Sequence, residues 1–321
     1  MVFILLTLIF VVIRVMPGDP VSAILGGHAP PAVVEEKKHE LGLDKPITAQ
    51  YVDYIRQLLH GDLGSSMLYQ ETVASAIGDK LPATLELTLF GLLASLGIGI
   101  PLGAAAARKR KSGRDFGIRL YANVVYCIPV FWMGLLLQMV FGVWLGIFPI
   151  AGRTSPRVLS STFSWSGFYL IDTLRIGDLA AFGDVLWHLV LPSLTLGIVI
   201  SGVFVRLTRA NMLDVLKSDY ILAARARGIP ERRVVYTHGL RNALIPIVTM
   251  LGLQFSLLLA GAILTESTFS WPGMGRLLVE RIYSRDYPVI QGVIIVYALC
   301  VTFISLVVDL IYAAIDPRVK Y

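Results

Sequence analysis

Asp219-Tyr-Ile-Leu-Ala-Ala-Arg-Ala-Arg-Gly228, running on through His238-Gly-Leu-Arg-Asn242 to Pro246, is a basic, helix-prone stretch set between two long apolar runs. Residues 211–227 are rich in good helix formers, and Ala223, Ala224 and Ala226 allow another backbone to approach closely. Gly228 ends the helix where the chain needs positive φ. Pro230 and Glu231 start another, with proline in the first turn and an acid near the positive end of the helix dipole. The expected unit is a helix–Gly–helix hinge carrying Arg225, Arg227, Arg232 and Arg233. Such a surface is suited to being gripped from the cytoplasm.

The flanking runs set the class. Of 321 residues, 55% are hydrophobic and 16% charged, against about 25% charged in a typical soluble domain. Mean hydropathy is +0.71. Apolar runs of membrane-spanning length fall at roughly 1–16, 83–107, 118–145, 186–207, 242–265 and 289–315. The first lacks the basic start and small-residue cleavage site of a signal peptide. It reads as a span whose natural start lies upstream. The expected fold is therefore all-α, a polytopic membrane protein of about six transmembrane helices forming one domain over 1–321.

Charge orients the spans, because Lys and Arg favour cytoplasmic loops. The 108–119 connection carries six bases against Asp115, and the 206–241 connection eight against Asp214, Asp219 and Glu231. The 17–81 loop has nine acids and five bases, and 146–185 has three of each. That places 108–119, 206–241 and both termini in the cytoplasm, and 17–81 and 146–185 outside. The net charge of +6 follows from this bias and implies no nucleic-acid partner.

Catalytic signatures are missing. There is no G-x-x-x-x-G-K-[ST] loop, H-E-x-x-H, Cys/His cluster or G-x-S-x-G. The sequence points to neither enzyme chemistry nor a metal site. Cys127 and Cys300 lie in apolar runs and are expected to pack as small hydrophobes. Glu86, Gln138, Gln254 and Glu266 are polar positions in or beside spans. They are candidates both for a solute path and for packing. Asp309, near the inner end of the last span, is the acid that an ion-coupled transporter would need. A scaffold that recruits a cytoplasmic protein through the basic loop is a further alternative.

The loop's wording resembles the cytoplasmic "EAA" loop of bacterial and archaeal ABC-importer permeases, in the form of the dipeptide/oligopeptide branch. Other segments follow in the order typical of that family: Met16-Pro-Gly-Asp-Pro20, Leu41-Gly-Leu-Asp-Lys-Pro46, Gly61-Asp-Leu-Gly-Ser-Ser66, Phe148-Pro-Ile-Ala-Gly-Arg153, Phe269-Ser-Trp-Pro-Gly-Met-Gly275, Arg285-Asp-Tyr-Pro288 and Asp316-Pro-Arg318. The opening motifs look like the "B" permease rather than its "C" partner. Leu222 replaces the acid of the general pattern, and His238 stands where Ile is usual.

The resemblance implies a type I ABC-importer bundle in a prokaryotic plasma membrane. It implies a second permease subunit, two cytoplasmic ATPases that carry the ATP and Mg, an extracytoplasmic solute-binding protein, and no cofactor in this chain. It also implies ATPase coupling through Tyr220, Ala223, Ala224, Arg225, Arg227, Gly228, Arg232, Arg241 and Asn242. Pro272, Gly273 and Gly275 would form an outer turn. The cargo would be peptides or a related solute such as glutathione or a nickel complex.

Overall fold

The computed structural model describes residues 2–15, 30–40, 42–156, 158 and 165–315. The Met16–Pro20 and Asp316–Arg318 motifs and the side chain of Asp309 lie outside the described residues. The described part is mostly helical, with one isolated bridge between Ser65 and Thr72, and its chain groups into two compact units.

The first unit comprises Met1–Pro82 and Gly273–Cys300. It contains α1 (Val2–Val15), α2 (Pro31–Glu40), α3 (Ile47–Leu59), α13 (Met274–Tyr283), and the first turns of α4 (Val73–Arg108) and of α14 (Tyr287–Ile315). Stretches expected as plain external loop thus hold three helices. In α3, apolar residues recur at helical spacing between Gln50, Asp53, Arg56 and Gln57, which gives the helix an apolar side. The unit's core joins Val73, Ala76 and Ile77 to Met274, Leu277, Val289 and Val293. At Gly292 a Cβ would lie 2.2 Å from Val73 Cγ1, so the Val73 side chain packs directly against the α14 backbone there.

Polar fasteners close the same unit. Asp286, fully buried, accepts hydrogen bonds from Ser66 Oγ (2.5 Å) and Met67 N (3.1 Å). Arg281 pairs with Glu71 at 2.6 Å and lies 3.7 Å over the Tyr69 ring. The Gly61–Ser66 and Arg285–Pro288 motifs are therefore two halves of one latch.

The second unit comprises Ala83–Pro272 with the chain from Val301 onward. Besides the rest of α4 it contains α5 (Gly113–Cys127), α6 (Val130–Leu137), α7 (Tyr169–Ile176), α8 (Leu179–Val215), α9 (Asp219–Ala226), α10 (Glu231–Arg233), α11 (Leu240–Ala243) and α12 (Ile245–Thr268). Wider π-helical turns follow α6 over Gln138–Trp144 and α10 over Val234–Gly239. The core is built from α4, α7, α8 and α12 around Leu87, Leu189, Leu196, Phe204, Ile247, Leu258 and Trp271.

Glycines set how closely α4 and α8 approach. A Cβ on Gly99 would stand 2.5 Å from Phe204 Cβ and 3.0 Å from Ser201 O, and one on Gly103 would stand 2.8 Å from Val205 O. A Cβ on Gly197 would stand 2.5 Å from Ala94 Cβ. Small residues at such seams let membrane helices pack without a hydrophobic driving force between them.

Among the described residues, α4, α8 and α14 are long and apolar enough to cross a membrane, and two bent helix pairs raise the total to five. Helix α1, with 14 residues, rises about 21 Å, short of about 30 Å of hydrocarbon. The expected continuous span 118–145 is instead broken by 105° between α5 and the arm that starts at Val130. Pro129 is the cause: its ring disfavours helix at the preceding residue, and Ile128 takes ψ 127. The two cysteines are unbonded; Cys127 is exposed at the end of α5, not packed in the core, and Cys300 is half-buried.

Candidate functional site: a basic loop with its own core

Helix α9 begins after Ser218 and ends in a Schellman closure. Gly228 N donates to Arg225 O (2.9 Å) and Ile229 N to Ala224 O (3.3 Å), with Gly228 at φ +72. The hydrophobic contact that accompanies this motif is present: Ala224, Ile221 and Val234 are buried together, with Ile229 against them. Past the turn, Pro230 precedes α10. The loop is a folded element with a miniature core.

That core divides the expected coupling residues. Ala224 faces inward. Tyr220, Ala223, Arg227, Gly228 and Arg232 are exposed, with Tyr220, Ala223 and Arg227 on one face of the helix by spacing. Arg225 is engaged within the loop. Its Nη2 and Nε donate to Glu231 at 2.8 and 3.1 Å, and its Nη1 to Leu216 O at 3.3 Å. This fork bridges the Gly228 turn, and its hydrogen bonds hold the Glu231 carboxyl below the usual carboxylate range. Asn242 Nδ2 donates to Tyr220 Oη at 2.6 Å, which ties α9 to α11. Arg241, exposed, lines a cavity beside them.

A second fastener lies at the foot of α8 and was not foreseen. Arg209 donates to both oxygens of the buried Asp115 (2.7 and 2.9 Å), and Arg119 lies 3.6 Å from it. The lone acid among the six bases of 108–119 was its signal.

The polar positions proposed for a solute path are held elsewhere. Glu86, 5% exposed, accepts from Arg153 Nη2 (2.6 Å) and Nε (3.2 Å) and from Leu170 N (3.1 Å). Arg153 lies 3.6 Å over the Tyr169 ring and also donates to Gly167 O. Glu266, fully buried, accepts from Thr84 Oγ1 at 2.6 Å. Gln138 donates to Ile150 O and Thr268 O, and Gln254 is buried. Glu86 and Gln138 stitch the chain after α6 to the helices, and Glu266 joins α4 to α12. At the expected outer turn, Trp271 Nε1 donates to Ala83 O. Pro272 is half-buried and Gly273 caps α13 in extended conformation, with Gly275 buried inside α13.

Residues 99–321 match the binding-protein-dependent transport system inner membrane component, and residues 1–88 match the N-terminal membrane component of the same systems. The chain belongs to this family. This transport component is 44% identical over 315 residues to the di/tripeptide transport system permease DppB of Pseudomonas aeruginosa, covering 98% of this chain and 93% of that one. It is 42% identical to the dipeptide permease DppB of Escherichia coli K12 (99% and 95% covered) and 40% to the glutathione permease GsiC of Escherichia coli O6:H1 (99% and 94%). In fold, it is similar to a chain of the inward-facing MetNI methionine ABC transporter, with TM-score 0.55, 16% identity, and 73% and 93% coverage. The membrane-embedded helical fold of an importer permease is thereby shown.

Proposed function

We propose that the chain is one of two membrane-spanning subunits of an ATP-driven importer for di- and oligopeptides or a related small solute such as glutathione. It pairs with a second, related permease to enclose the path. Two cytoplasmic ATPase subunits carry the ATP and Mg, an extracytoplasmic solute-binding protein delivers cargo, and this chain needs no cofactor of its own. It acts as a single permease domain with 108–119, 206–241 and both termini on the cytoplasmic side.

The loop Asp219–Gly228 is the observation that carries the reading. A helix braced by its own core and by the Arg225–Glu231 fork presents small Ala223 beside Arg227, flanked by Gly228. That face suits a groove on a separate motor subunit, because closure of the motor can then move the helix as a rigid lever. The ATPase contacts fall to Ala223, Arg227, Gly228 and Arg232. Ala224 and Arg225 support the lever from within, and Tyr220 and Asn242 hold it to the next turn. Pro272, Gly273 and Gly275 shape the outer turn. Glu86, Gln138 and Glu266 act by joining elements of the fold rather than by touching solute, and Gln254 packs in the interior.

The test is ATP-dependent uptake of labelled dialanine into proteoliposomes holding the full complex, together with co-purification of the ATPases. Wild type should retain the ATPases and take up peptide, and Ala223→Asp should lose both while still inserting. Uptake that persists without ATPase and collapses with a protonophore would sink the proposal.

A further inference from the structure

A cavity of about 870 Å³ adjoins the lever, lined by Tyr220, Thr237, His238, Arg241, Asn242, Leu244 and Val248. Its size falls in the range of small-molecule sites, about 300–1,000 Å³. Its formal charge is one-sided, carried by Arg241. Tyr220 Oη accepts the Asn242 amide at 2.6 Å, so its own hydrogen is left to donate, as is the second amide hydrogen of Asn242. Thr237 adds a hydroxyl and His238 at least one ring N–H in either neutral tautomer. Arg241 adds a planar fork of donors.

No aspartate or glutamate lines the cavity. Among the described residues the loop's own ion pairs are Lys217–Asp214 and Arg225–Glu231, and neither draws on Arg241 or His238. Five donor-bearing side chains converge without a carboxylate to answer them. Such a lining favours an oxyanion and disfavours an ammonium. The far wall is apolar, formed by Leu244 and by Val248 in the first turn of α12, so the bound molecule extends from an anionic head towards the span.

We propose that this cavity is an oxyanion site, taking a carboxylate or phosphate group on a partly apolar molecule at the cytoplasmic end of α12. The cytoplasmic placement rests on the functional reading above; the ligand chemistry does not. Two sources share this chemistry: the terminal carboxylate of a peptide leaving the membrane path, and the phosphate of an anionic lipid lying at the same depth.

The test uses the full-length chain, without ATPases, in phosphatidylcholine nanodiscs. One arm titrates dialanine against dialanine amide, which keeps the ammonium and lacks the carboxylate. The other adds phosphatidylglycerol to the nanodisc and counts the molecules retained by native mass spectrometry.

The probe that binds should be weakened about tenfold or more by Arg241→Gln, because a charge-assisted, two-pronged contact is lost. It should be weakened about threefold by Tyr220→Phe, which removes one hydroxyl. Arg241→Lys should recover part of the loss. Dialanine binding without lipid retention identifies the solute as the source, and the reverse identifies the lipid; either supports the site. If neither probe depends on Arg241 or Tyr220, or if the amide binds as tightly as dialanine with lipid retention unchanged, the proposal is overturned. Should Arg241→Gln fail to fold, Tyr220→Phe carries the test alone. As no ATPase is present, the site can fail while ATP-driven uptake stands, and the reverse.

Discussion

Ser66 and Asp286 stand 220 positions apart and meet in the interior of one unit, where the serine hydroxyl donates to a fully buried carboxylate. The Met67 backbone N–H donates to the same carboxylate, and Arg281 Nη1 lies 3.7 Å away. One aspartate therefore takes two hydrogen bonds from the Ser66–Met67 turn and also balances the charge of Arg281.

Asp286→Ala should strand those donors, each costing about 1–3 kcal/mol when left buried without a partner. Ser66→Ala removes one donor and leaves the carboxylate its others, so it should cost about 1 kcal/mol. Thermal melts of the detergent-solubilised protein should show a marked loss for Asp286→Ala and a slight one for Ser66→Ala. Equal melting of the two variants would contradict the latch.

The Glu86–Arg153 pair makes a sharper case, since both side chains are nearly excluded from solvent. Removing one partner of a buried pair costs about 3–5 kcal/mol, because the other charge is left uncompensated. Glu86→Leu and Arg153→Met should each sharply reduce the amount of folded protein, and the double variant should recover much of the loss. Additive losses in a double-mutant cycle would show that the two groups do not act together.

These pairings mark what the sequence does and does not reveal. Gly228 and Pro230 announce the helix break locally, because positive φ and a fixed ring are properties of single residues. Cys127-Ile-Pro129 carried an equally local signal for the bend after α5, but continuous hydropathy across 118–145 hides it, since apolarity is blind to direction. The helices within 17–81 escape a search for membrane-length apolar runs because α2 is polar and charges at Asp53 and Arg56 interrupt α3, although spacing gives α3 an apolar side. No local pattern links Glu86 to Arg153, 67 positions away; that partnership exists only once the chain after α6 folds back against α4.

Gly99-Ile-Pro-Leu-Gly103 lies between these cases, being a G-x-x-x-G motif visible in the sequence whose partner helix is not. Gly97 offers an internal comparison on the same helix, as a Cβ there would meet nothing within 4 Å. Gly99→Ala forces a methyl against Phe204 Cβ and the Ser201 carbonyl, and overpacking of this kind costs about 1–3 kcal/mol. Gly97→Ala should be neutral or stabilising through helix propensity. Melting both variants decides the matter: if Gly99→Ala is as stable as Gly97→Ala, the two helices do not rely on backbone contact there.

Adjacent alanines in the loop should fail in different ways. Ala224 packs with Ile221 and Val234, so Ala224→Asp buries an unpaired carboxylate and should melt the lever itself. Ala223 is exposed one position earlier, so Ala223→Asp should leave the lever folded and spoil only what docks on it. Limited proteolysis reads the first effect, with new cleavage after Arg225 and Arg227 in Ala224→Asp alone. Retention of ATPase on the purified chain reads the second, and both variants should lose it. If Ala223→Asp keeps its ATPases while Ala224→Asp loses them, the loop is needed for folding but the Tyr220–Ala223–Arg227 face is not where the motor grips.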